Sequence, residues 1–178
     1  PFDVQELHLR ARNAIKRAEK TFAVNPVTEL PDAAVLDERL NPLLYTDEPW
    51  ALLLIALGGL PRLRERYGFV AADEMLRAVA LMIGGAVREL GGEDDLIVQS
   101  DATAFTILTT KPKIADLRER IETRVRAALP NFLPFTDAER ADFLTLACGT
   151  VDYETQQFMD AESARAKLGE TVSDAPTD

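Results

Sequence analysis

The sequence predicts an α+β sandwich: a central mixed sheet flanked by helices, its body in βααββαβ order, with a linker helix in front. Three observations predict it. Trp50–Leu57 (WALLLIAL) is a continuous apolar run of strand length, as expected for a strand buried on both faces, and Phe143–Val151 is a second apolar run. Leu96–Gln99 and Ala104–Thr110 are β-rich and flank a polar turn, which reads as a hairpin. Residues 71–90 and 113–128 repeat their apolar residues with the period of a helix.

Taken in chain order, residues 3–22 read as one helix. Asp3 can cap it, and Val4, Leu7, Ala11, Ala14 and Ala18 recur at spacings of 3, 4, 3 and 4. That is a narrow seam of mostly small residues. Such a seam either packs on its own domain or forms a parallel dimer, and so few heptads do not decide. Residues 23–32 (AVNPVTELPD) read as a Pro-punctuated linker. A short helix over about 33–41 ends near Pro42. Pro49 and Gly58-Gly59 bound the first strand. A short helix over 60–67 precedes the longer one, which buries Met75, Val79, Met82, Ile83, Ala86 and Val87 and stops at Gly91-Gly92. The later helix buries Ile114, Leu117, Ile121, Val125 and Ala128. Pro130 and Pro134 break the chain, residues 160–168 form a last short helix, and GETVSDAPTD reads as a frayed tail. The expected organisation is a signalling helix over 1–22, one body over 23–168 and a tail over 169–178.

Length and charge narrow the function. A chain of 178 residues buries enough apolar surface to fold without a disulfide or a metal. The net charge is −10, which argues against nucleic acid as the main partner. The charge is uneven: residues 1–22 carry net +2 and the remainder net −12. The longest apolar run is too short to cross a bilayer, so no membrane is expected. Cys148 is the only cysteine and sits in an apolar run, as a buried thiol of a reducing, cytoplasmic protein does. With His8 the only histidine, no Cys/His zinc site and no Ser-His-Asp arrangement near a pocket can be built. The chain begins with Pro1 and not Met, as expected of a piece of a longer protein.

Four segments resemble one family. NPVTELPD resembles DxLTGLPNR, the opening motif of GGDEF domains, the diguanylate cyclases, and keeps Thr28, Leu30 and Pro31. ALLLIALGGLPRLRERYGFVAADEMLRAVA resembles ALLLLDLDxFKxINDxxGHxxGDxxLxxVA, with Gly68, Asp73 and Leu76 in register. DLIVQSDATAFTIL resembles DLVARxGGDEFxxLL through Asp95, Leu96 and Phe105, and LTLACGTVDY resembles the closing strand TxSxGxAxY. The resemblance spans roughly residues 23–153 and implies a nucleotide-cyclase-like sandwich.

It also implies a reaction, the joining of two GTP molecules into cyclic di-GMP. Two carboxylates must hold Mg²⁺ against the triphosphate, a Gly-Gly turn must admit the nucleotide, and polar and cationic side chains must read base and phosphate. The positions that the resemblance assigns to these roles hold other residues. The first metal-binding Asp is Ala56 and the next Asp of that motif is Gly58. The phosphate Lys position is Pro61 and the guanine-reading Asn position is Arg64. The signature itself reads Asp101-Ala102-Thr103-Ala104-Phe105, so both glycines and both acids are gone. The RxxD inhibitory motif keeps Asp95 but has Gly92 for Arg. Asp73 reads as a first-turn helix acid rather than a guanine contact, and Asp101 as turn chemistry rather than a displaced metal ligand. The acidic clusters Asp47/Glu48 and Glu93/Asp94/Asp95 read as solvated loops. No metal or cofactor is expected.

PFDVQELHLRARNAIKR resembles the last helix of two-component receiver domains, which opens with KPF(D/S)xxEL; Pro1, Phe2, Asp3, Glu6 and Leu7 match. This resemblance implies a parent chain with a receiver domain upstream. The expectation is a catalytically inactive GGDEF-like output domain of a bacterial response regulator. It would act by contact with a partner protein or by self-association through the N-terminal helix. The alternative is a non-catalytic sensor of GTP or cyclic di-GMP using Arg64 and Asp73, with Arg62 and Arg66 nearby. If residues 1–22 are the dimerising element, light scattering of a version lacking them gives a lower mass than the full chain. Equal masses exclude that role.

Overall fold

The computed structural model describes residues 23–133, 142–155 and 158–173. Helix α1 (Ala33–Leu43) leads to β1 (Trp50–Gly58) and α2 (Leu60–Leu90). The hairpin β2 (Leu96–Asp101) and β3 (Ala104–Thr110) follows, then α3 (Lys111–Ala128), a short 3-10 turn (Leu129–Phe132), β4 (Thr145–Asp152) and α4 (Ala161–Ser173). The helix expected over 3–22, its seam and Pro134 lie outside the described residues.

The α+β order is as the sequence pattern predicts, but the sheet is not mixed. Its order is β2-β3-β1-β4 and every pairing is antiparallel. The reason is that each helical crossover skips one strand. α2 carries the chain from β1 to β2 with β3 between them, and α3 carries it from β3 to β4 with β1 between them. Strands joined through a helix are therefore never neighbours, and the strand between them runs against both.

β1 lies at the centre, paired to β3 on one side and β4 on the other. Period-two alternation sends its residues to two separate cores. Leu53, Ile55 and Leu57 join Phe105, Ile107 and Cys148 under α2 and α3. Trp50 and Leu52 join Leu108, Val98 and Val151 under α1 and α4. Leu52, Leu53 and Ile55 are fully buried, which explains why the run reads as continuously apolar. On the second face, Trp50 meets Phe158 with ring centroids 5.9 Å apart, and Arg165 of α4 donates twice to the Asp37 carboxylate of α1, at 2.7 and 2.9 Å.

Three local expectations are corrected. Residues 23–32 are a folded hook rather than a plain linker. Asn25 Oδ1 accepts from Val27 N and Thr28 N, Glu29 takes a positive φ of 60°, and Asp32 N donates back to Ala23 O at 3.1 Å. The hook is fastened to the edge of β2: Gln99 N donates to Pro31 O at 2.9 Å, and the buried Thr28 hydroxyl donates to Gln99 Oε1 at 2.6 Å. Helix α4 continues through Gly169 to Ser173, into the expected tail, because its far end has a surface to pack on. Gly149 of β4 leaves room there for Thr171, Val172 and the Leu168 carbonyl. α3 starts at Lys111 rather than 113, since Pro112 fits a first helical turn, where its missing N–H costs nothing.

The two helices expected over 60–67 and 71–90 form one element interrupted at Gly68, whose φ of 88° and ψ of 172° are open only to glycine. Gly59, before the first half, also has a positive φ, 83°, and a Cβ there would run into the Phe143 carbonyl oxygen. A Cβ on Gly68 would meet no atom within 4 Å. Gly59→Ala and Gly68→Ala should each cost about 2 kcal/mol or more, the first because a collision with the Phe143 carbonyl adds to left-handed strain, the second because its backbone pair is open only to glycine. Urea unfolding of the two variants checks this; a loss below about 0.5 kcal/mol in either would show that its backbone shifts freely.

Candidate functional site

Ala56, Gly58, Pro61 and the Asp101–Ala104 signature lie at one end of the sheet, where β1 runs out, α2 begins and the β2–β3 turn closes, whereas Gly92 and Asp95 lie at the other end, where β2 begins. Ala56 stands directly opposite Ala104 in the β1–β3 ladder and opposite Ala147 in the β1–β4 ladder. The first metal position and the last acidic position of the signature are thus cross-strand neighbours, and both are methyl groups. Ala147 is a third methyl in the same row, a place that motif position does not reveal. The signal was available: pairing Ile55 with Cys148, two inward residues of the central and closing strands, puts Ala147 beside Ala56.

The hairpin turn is held by the end of β1 and by its own Asp101 side chain. Leu57 N donates to Thr103 O at 2.9 Å, and Ala102 N donates to the Asp101 side chain at 2.6 Å. Thr106 Oγ1 donates to Ser100 Oγ at 2.8 Å. Asp101 is exposed and engaged with its own turn, beside an irregular register between Gln99 and Asp101. Mg²⁺ requires several oxygen ligands in near-octahedral array, usually with one or two carboxylates among them. The row Ala56, Ala104, Ala147 presents none, so these residues do not fit the ion. Among the described residues no group of three or more His, Cys, Asp or Glu side chains is placed to hold a metal.

The nucleotide-facing candidates do not converge. Pro61 is exposed in the first turn of α2. Arg64 is exposed and lies over the Phe69 ring, 5.1 Å from its centroid. Arg62 lies over Phe143 at 4.9 Å. Asp73 is half-buried and five residues past the Gly68 break, hence in the second turn of that half-helix and not the first. No hydrogen bond or ion pair joins Asp73 to Arg64. The retained Asp95 acts locally, since its Oδ2 accepts from Gly92 N at 2.9 Å and closes the α2–β2 turn. Lys113 occupies the space into which a side chain at position 92 would project.

At the opposite end of the sheet lies a charged cluster that the motifs do not single out. Lys111 pairs with Glu154, and with Asp152 at 3.3 Å, while the Tyr153 hydroxyl donates to Glu154 at 2.8 Å. The hydrogen bond to Glu154 raises the Lys111 pKa, and the bond from Lys111 lowers that of Glu154. A groove of about 400 Å³ near this end is lined by Trp50, Leu108, Arg39 and Asp94.

Comparison with known proteins gives this geometry its family. The family description "Diguanylate cyclase, GGDEF domain" matches residues 5–170, and the chain belongs to that family. Among solved structures, the S helix-GGDEF-EAL portion of Vibrio cholerae LapD, bound to c-di-GMP, is 19% identical with a TM-score of 0.66; the match covers 95% of this chain and 37% of that one. The diguanylate cyclase SiaD of Pseudomonas aeruginosa, in complex with its activator SiaC, is 18% identical with a TM-score of 0.64, covering 97% and 65%. The isolated GGDEF domain of Pseudomonas aeruginosa YfiN is 20% identical with a TM-score of 0.65, covering 85% and 87%. The match thus spans less than two thirds of the LapD and SiaD chains. No curated protein matches in sequence. No helix among the described residues is long and apolar enough to cross a membrane.

Cys148 is the remaining nucleophile to place. It is buried opposite Ile55, and desolvation pushes its thiol up to about 12, with the Glu122 carboxylate adding to the rise. At pH 8 the thiolate fraction is then on the order of 10⁻⁴. The native protein should leave a thiol-exchange dye unreacted at that pH and react fully once unfolded in guanidinium. Rapid reaction of the native protein would overturn this placement.

Proposed function

We propose that this chain is a catalytically inactive GGDEF domain that serves as a signalling output module, working through contact with protein. The observation that carries the reading is the ladder pairing of Ala56 with Ala104. Two carboxylates across that pair would share a cation, whereas two methyl groups give it nothing to bind. The other substitutions point the same way. Pro61 offers no charge to a phosphate, and Ala102 and Thr103 replace the signature's second glycine and an acid in a turn held by Leu57 N. The fold is kept because the two cores demand Leu53, Ile55 and Phe105 whatever the chemistry at the strand end.

The module's setting is a bacterial response regulator of the cytoplasm. The resemblance of Pro1–Arg17 to the last helix of a receiver domain supports this, and phosphorylation of that receiver would be the switch. SiaD provides a precedent for the mode of action, since it is a diguanylate cyclase in complex with a protein activator.

Purified protein incubated with GTP and Mg²⁺ or Mn²⁺ should form no cyclic di-GMP. Ala56→Asp should not restore the reaction, because one carboxylate facing Ala104 and Pro61 still leaves the cation and the phosphates without partners. Product from either protein at a rate more than about tenfold above a no-protein blank would overturn the reading.

A further inference from the structure

The first half of α2 and the break after it form a surface to which neither folding nor the proposed inactivity gives a role. Phe69 and Val70 follow Gly68 and are 69% and 70% exposed. Two large apolar side chains in sequence, both mostly in solvent, present the kind of apolar spot that interaction sites use. The Gly68 backbone imposes this: its φ of 88° turns the chain so that Phe69 stands off the core that Leu63, Ala72 and Met75 enter.

The charge around this pair is less acidic than the rest of the chain after residue 22. Residues 60–74 hold Arg62, Arg64 and Arg66 against Glu65, Asp73 and Glu74, a balanced stretch within residues 23–178 of net −12, and the arginines cluster on the side before Gly68. Arg62 and Arg64 have no carboxylate within ion-pair distance among the described residues. Their guanidinium groups lie over aromatic rings instead, Arg62 on Phe143 and Arg64 on Phe69. Stacking orders a guanidinium while leaving its N–H donors open to an incoming anion. Arginine and aromatic side chains are the types that dominate binding energy at protein interfaces.

We infer that Arg62, Arg64, Phe69 and Val70 form the docking surface for an acidic partner protein, through a segment that sets carboxylates beside an apolar anchor. The inference rests on the reading of an inactive, protein-contacting module and names the contact surface for it. Charge decides among occupants. The chain's own residues 1–22 carry net +2 and would meet like charge. A carboxylate-bearing helix or strand brings the complementary sign, and its apolar residues cover Phe69 and Val70.

The test uses the full chain and a defined probe. An amphipathic peptide of Glu, Leu and Ala with one Trp is titrated against ¹⁵N-labelled protein, beside a twin with Lys at every Glu. Expected are amide shifts centred on residues 62–70 with the acidic peptide and none with the Lys twin. Arg64→Glu and Phe69→Ala, both at exposed positions, should each weaken binding about tenfold, as should raising NaCl to about 0.5 M. Absence of shifts, shifts centred elsewhere, or equal binding of the Lys twin would overturn the inference. So would a concentration-dependent rise in mass abolished by Phe69→Ala, which would make a second copy the occupant. GTP with Mg²⁺ is added in a parallel arm. Formation of cyclic di-GMP there removes the underlying reading, whereas a silent GTP arm with a silent peptide arm removes this inference alone.

Discussion

The structure depends on one constraint, that β1 is held between two strands and two cores. Its backbone is hydrogen-bonded to β3 and β4, and its side chains enter two cores, one under α2 and α3 and one under α1 and α4. A strand in that position leaves only Leu54, Ala56 and Gly58 partly exposed, and none of its residues is fully in solvent. Replacing Leu53 or Ile55 by alanine in such a site costs about 2–5 kcal/mol, which is a large part of the stability of a domain this size. The same enclosure sets the strand's length. Packing ends near Leu57, the chain emerges at Gly58-Gly59, and the turn into α2 begins where Phe143 comes too close for any Cβ.

The middle of the central strand carries packing, and its end, where the strand emerges from both cores, carries little. That division lets the strand's end hold small side chains while its middle stays large and apolar. The row Ala56, Ala104, Ala147 is small and apolar, continuous with the sheet interior, and tolerated because it burdens the fold with no unpaired charge. Asp95 shows the complementary case. Its carboxylate is retained where it closes the α2–β2 turn, so it has a reason to stay that requires no ligand.

The fold was legible in the sequence to the extent that burial is periodic. The run Trp50–Leu57, the hairpin, both amphipathic helices and the interruption near Gly68 followed from apolar spacing and from glycine. Strand direction did not, because no local pattern records that β3 slides between β1 and β2. The hook was hidden for a related reason: AVNPVTELPD has linker composition, and only its distant partner Gln99 makes it structure. At the candidate site, Ala56, Pro61 and Asp101–Ala104 were legible through motif position. Ala147 and the exposure of Phe69 and Val70 were not, since the first needs strand pairing and the second needs the geometry of the Gly68 break.

The hook has one further consequence. Asp32 N returns to Ala23 O, and Pro31 O and Thr28 fasten the loop to Gln99 of β2, two residues before the hairpin turn. Ala23, where the described residues begin, is therefore tied to β2, the strand that ends at Asp101 beside the hairpin turn, so the place of residue 23 is set by the sheet and not by a slack linker.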